Sequence, residues 1–131
     1  MTRFFASASL AAASFALAIG FSSQALAGDA AKEASTAGMH AGLAATQSSI
    51  DAVHMHLHHA VNCLVGPKGQ GYDAGQANPC AKDGDGAIPD TKDSAAKAKY
   101  EKAAADAEAG IKATDLAAAQ KAASETAAAL K

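Results

Sequence analysis

Apolar positions beyond residue 27 recur at helical spacing. Ile50, Val53, Leu57, Val61 and Leu64 fall three or four apart and make one stripe. Upstream, Ala34, Gly38, Ala41 and Ala45 form a small-residue face with Met39 and Leu43 beside it, which predicts a helix beginning near Asp29. Between the two lies Thr46-Gln47-Ser48-Ser49, a break in which Ser48 and Asp51 have the spacing of a capping box. Gly66-Pro67 stops the second helix. A crossover over residues 65–90 then runs rich in Gly, Asp, Asn and Pro without periodicity, a length that implies a function or a tether. The helical pattern resumes near Thr91, with Ala96, Tyr100, Ala103, Ala107 and Ile111 on one face. Thr114 is placed to cap a last helix carrying Leu116, Ala119, Ala123 and Leu130. Two helical hairpins joined by one long crossover predict an all-α four-helix bundle.

The first 27 residues read as an address. Arg3 precedes an apolar run from Phe4 to Ile19, and Ala25-Leu26-Ala27 supplies the small-x-small pattern of a signal-peptide cleavage site before Gly28. The run is short for a membrane span, and no Cys follows the site to take a lipid. The expectation is a periplasmic or secreted chain: a signal peptide at 1–27, one helical domain at 28–131, and no membrane anchor in the mature form. That domain carries ten Lys, no Arg and 13 acidic residues, a formal charge of −3 that gives no support for a nucleic-acid partner. It also holds 30 Ala and only two aromatic residues, Tyr72 and Tyr100, so its core must be thin.

Four of the five histidines, His54, His56, His58 and His59, lie within six residues of the second helix. Imidazole is the commonest protein ligand for zinc and copper. At 100° per residue, His54 and His58 share one flank with Asp51, while His56 and His59 lie on the other, with Cys63 one turn beyond His59. His40 stands eight residues before Ser48 and His56 eight after it, so an antiparallel hairpin brings them to one height. His40, His56 and His59 are the expected principal ligands, with His54 and His58 as candidates for a second, weaker site. Met39 and Met55 are neighbouring thioethers that suit Cu(I).

Cys63 and Cys80 are an even pair, read first as a disulfide that pins the crossover to the histidine helix; a Cys63 thiolate ligand beside His59 is the alternative. No Cys-x-x-Cys-His is present, so covalent c-type haem is not expected. Asp83-Gly84-Asp85-Gly86-Ala87-Ile88-Pro89-Asp90 has the offsets of the middle of a calcium loop. Ala81 and Lys92, however, occupy its first and last ligand positions, which favours a turn with solvated carboxylates. No nucleophile–base arrangement, phosphate loop or catalytic carboxylate pair is evident; no catalytic residue is expected, and the chain does not read as an enzyme.

The Ala/Lys/Glu-rich helices with histidines resemble the periplasmic small metal-binding protein family, most closely in style at Ala109-Gly110-Ile111-Lys112-Ala113-Thr114-Asp115-Leu116. That resemblance implies an exported helical bundle that binds copper or other divalent ions. The chain departs from it in having no histidine in its second half, so a site must lie in the first hairpin. The run His56-x-x-His59-x-x-Asn62-x-x-x-Gly66 is also similar to a recurrent motif of exported bacterial helical proteins, which implies no function by itself. The functional expectation is a non-catalytic copper or zinc buffer or carrier. The alternatives are a bundle holding b-type haem for electron transfer, through Met39 or His40 facing His56, and an envelope interaction protein with surface histidines.

Overall fold

A computed structural model describes residues 28–131; the expected signal peptide at 1–27 lies outside the described residues. The described chain is all-helical: α1 (Ala30–Ala44), α2 (Ile50–Val65), a single turn α3 (Ala87–Asp90), α4 (Ser94–Lys112) and α5 (Leu116–Ala129). Side-chain oxygens satisfy orphan amides at the start of every long helix. Asp29 accepts from the Lys32 amide at 3.0 Å, Ser49 from Ala52 at 3.3 Å, Asp93 from Ala95 and Ala96, and Asp115 from Ala118. Two caps fall one residue later than the sequence suggests. Ser49 replaces Ser48, and Asp115, a better acceptor than a threonine, replaces Thr114. The crossover, expected to be irregular throughout, contains α3. A one-turn helix has no periodicity to read, and Pro89 fits within a first turn whose amides need no intrahelical partner.

The long helices pack mainly as α1 on α2, α2 on α4, α4 on α5, and α5 back on α1, with a smaller contact between α2 and α5. Val53, Leu57, Val61 and Leu64 of α2 are fully buried and supply most of the bulk. The facing helices contribute mainly alanine: Ala34, Ala37, Ala41 and Ala44 from α1, Ala103 and Ala107 from α4, Ala119 and Ala123 from α5. The buried face of α1 is rotated from the expected one, since Ala37 and Ala44 are inside while Gly38 and Ala45 are half-buried. On a helix with small residues on several sides, the sequence does not single out one face. The helices approach closely: a Cβ at Gly110 would lie 2.6 Å from Leu57 Cδ1 and 3.0 Å from Ala122 Cβ. Among the described residues, no helix is long and apolar enough to cross a membrane.

Two adjacent residues of α2 hold the crossover. Cys63 is bonded to Cys80, 17 residues on. Asn62, fully buried, donates to the carbonyls of Asp73 (2.9 Å), Ala77 (3.1 Å) and Gln76 (3.4 Å), and accepts from the Asp73 amide at 2.9 Å. One side chain thus satisfies several backbone groups of a segment that has no ladder of its own. Gly66, at φ 67°, ends α2 and turns the chain into this segment.

Two outcomes follow from the tether. Closing a loop of this length stabilises a domain by about 3 kcal/mol, so reduction should lower the melting temperature by about 10 °C or more, read by calorimetry with and without reductant. Asn62→Asp would place a carboxylate against three carbonyl oxygens. It should cost about 3 kcal/mol at neutral pH in urea unfolding, because those acceptors lose their donor inside the protein.

Candidate metal centre

The α1–α2 hairpin turns over Ala45–Ser49, and its antiparallel packing sets His40 beside His56. Their Nδ1 atoms are 3.4 Å apart, with ring centroids at 5.6 Å. His59, one turn along α2, closes the group: its ring stands edge-on to both others, 5.1 Å from His40 and 5.8 Å from His56. One ring nitrogen from each residue lies within 4.8 Å of the other two. Two nitrogens bound tetrahedrally to one zinc ion at its usual bond length are separated by about 3.3 Å, close to the 3.4 Å seen between His40 and His56. The three rings are half-buried, and Nδ1 of His59 is buried without a hydrogen-bond partner. Burial first, then the neighbouring His59 and His56, hold His40 below the ordinary imidazole pKa; burial, His56 and His58 do the same to His59. Both rings are therefore biased toward the neutral form that coordinates metal.

The other two histidines are drawn elsewhere. His54 Nε2 lies 3.1 Å from the Ala113 carbonyl at the α4–α5 turn. His58 Nδ1 lies 3.5 Å from an Asp73 carboxylate oxygen in the crossover, an ion pair whenever the ring is protonated. They share a flank of α2 but bridge it to two different segments. Cys63 is in the disulfide, so it is not a thiolate ligand. Met39 and Met55, next in sequence to His40 and His56, are 58% and 39% exposed.

Asp73 and the Ala113 carbonyl were not legible as histidine partners, since neither belongs to a pattern and both reach α2 only through folding. The His56-x-x-His59-x-x-Asn62-x-x-x-Gly66 run acquires a physical content: two ring-bearing positions of the cluster, the crossover anchor and the helix stop. No protein-family model, curated protein or solved structure matches the chain.

Because His40 and His59 take up protons less readily folded than unfolded, the stability they contribute is complete above the unfolded value near 6.5. It is lost as pH falls below that value. The double variant His40→Gln, His59→Gln should remove this acid sensitivity. Between pH 7.5 and 5, the metal-free parent's urea midpoint should fall relative to that of the variant, and parallel curves would contradict the assignment.

Proposed function

We propose that the protein is an exported, non-catalytic metal-binding protein, a copper or zinc buffer or carrier, whose ligands are His40, His56 and His59. The observation that carries the reading is the convergence of three imidazole nitrogens from two helices. Three nitrogen ligands suit Zn or Cu and leave a position for water or an exchanging donor. Ligating imidazoles in tight sites are usually oriented by a carboxylate or carbonyl on their other nitrogen. Among the described residues, the hydrogen bonds of His40, His56 and His59 include no such partner. A centre oriented by packing alone favours loading and release over permanent retention, as a buffer or carrier requires. The export reading rests on the sequence pattern at 1–27 and accords with a structural disulfide. In this reading the helices form a four-helix bundle in which the metal bridges α1 to α2 away from the core.

The haem alternative draws less support. His40 and His56 already meet at 3.4 Å, and a porphyrin between them would have to force apart a helix pair packed through alanine.

Titration of the purified protein with Cu(II) and Zn(II) by calorimetry tests the proposal. One equivalent should bind at micromolar concentration or better, and lack of binding by both ions would exclude it. His59→Ala should weaken binding at least about tenfold, whereas His54→Ala should leave it within about twofold. Lowering pH from 7.5 to 5.5 should also weaken binding at least about tenfold, because protons compete for the same nitrogens.

A further inference from the structure

We infer that removal of residues 1–27 delivers the α-ammonium of Gly28 into an acidic socket built from Asp90 and Glu33, where it serves as the missing counterion. The inference rests on the export reading above and is independent of the metal centre.

Gly28 packs against Asp90 so closely that a Cβ added to it would collide with that carboxylate. From ordinary backbone dimensions, the Gly28 nitrogen is then no more than about 4 Å from Asp90 Oδ2, within ion-pair reach. A Cβ at Gly84 would likewise collide with Asp90 Oδ2, and would come within 2.7 Å of Gly28 Cα and 3.0 Å of Glu33 Oε1. Gly28, Gly84, Asp90 and Glu33 thus meet at one point. The next residue is pinned there as well, since the Asp29 amide donates to the Asp83 carbonyl at 2.9 Å.

The socket has an unmet electrostatic need. Glu33 is wholly buried; its Oε1 accepts from the Gly86 amide at 2.9 Å, and its Oε2 is buried without a partner. Asp90 is half-buried and accepts from the Asp85 amide at 2.8 Å. Burial, with repulsion from Asp90, a side-chain hydrogen bond to Asp90 that favours a shared proton, and repulsion from Asp83, pushes Glu33 up to about 7 against the opposing Gly86 hydrogen bond. The fixed cations nearby are committed elsewhere. Lys32 pairs with Asp83 at 2.6 Å from a largely exposed position, and Lys68 lies 3.8 Å from Asp85. Asp29 caps α1.

Cleavage between Ala27 and Gly28 supplies a cation at this spot. Hydrolysis breaks the peptide C–N bond and places the hydroxyl of water on the Ala27 carbonyl carbon and its hydrogen on the Gly28 nitrogen. At neutral pH the new Ala27 carboxyl releases a proton and the Gly28 amine takes one up. Before cleavage that nitrogen is a neutral amide; afterwards it is an ammonium beside the Asp90 carboxylate and close to the buried Glu33, in a charge-assisted pairing. Processing therefore strengthens the folded state, and glycine is needed at the first position because any side chain there meets Asp90.

The test compares two full-length chains directed for export: the parent, and a variant with Thr-Gln inserted between Ala27 and Gly28 to carry the ammonium away, the large Gln leaving no second small-x-small site before Gly28. Intact mass of the exported parent should show Gly28 as its first residue. At pH 6.5 the parent should melt about 5 °C above the insertion variant. The amine pKa is raised in the fold, so its contribution is present below the unfolded value near 8 and is lost as pH rises through the folded one; the gap should close by about pH 10. Glu33→Gln should shrink the gap at pH 6.5. If that variant does not fold, the insertion comparison stands alone. A mature chain beginning elsewhere, equal melting at pH 6.5, or a gap that persists unchanged to pH 10 through crowding alone would overturn the inference. Zinc titration of both chains should give the same affinity, so failure here is distinguishable from failure of the metal reading.

Discussion

Helices lined by alanine must come close together before they touch, and most features of this protein follow from that constraint. Outside α2, the interior is largely methyl groups, and the largest apolar side chains wholly enclosed, Leu57 and Leu64, both belong to α2. Such an interior removes little apolar area from water per residue, so burial stabilises it less than a leucine-rich core would. Close approach also brings groups projecting beside the interface into contact across it. His40 meets His56 and His59 because α1 lies on α2 through Ala37, Ala41 and Ala44 rather than through bulkier side chains that would hold the rings apart.

A thin core leaves the long crossover without an apolar surface of its own, and the chain replaces packing by directed bonds. Asn62 and Cys63, adjacent on the inner side of α2, fix the segment at two points, one by hydrogen bonds to its backbone and one covalently. The same arrangement aligns Asp73 with His58, so one face of the histidine helix is covered by the tethered segment while the other meets α1. Cys63 lies one turn beyond His59, which places the tether next to the centre without making it a ligand.

The histidines divide by what they face. Those directed toward α1 find one another, and burial together with the neighbouring rings favours the neutral form of His40 and His59. Those on the opposite flank lie against a carbonyl and a carboxylate, oxygen groups suited to accept from a ring nitrogen. A run of four histidines in six residues thus resolves into ring-bearing positions of different chemistry. The division follows from which neighbour each side of α2 has.

Periodicity was enough to read four long helices, the hairpin turn near Ser48 and the buried stripe Val53–Leu57–Val61–Leu64, because α2 has large apolar residues on one side only. Counting from the turn was enough to set His40 level with His56, since rise per residue is nearly constant in antiparallel helices. The pairing of Cys63 with Cys80 needed no geometry, because two cysteines allow one intrachain bond. The sequence did not determine the buried face of α1, where alanine on several sides leaves the rotation to be settled by the partner helices. It held no sign that Glu33, in the first turn of a polar-looking helix, is wholly enclosed, nor that Asp90 is turned toward it from the crossover. Nor did it assign His54 to the Ala113 carbonyl or His58 to Asp73. These contacts join residues far apart in the chain and depend on where the crossover and the α4–α5 turn come to rest, which no local pattern encodes.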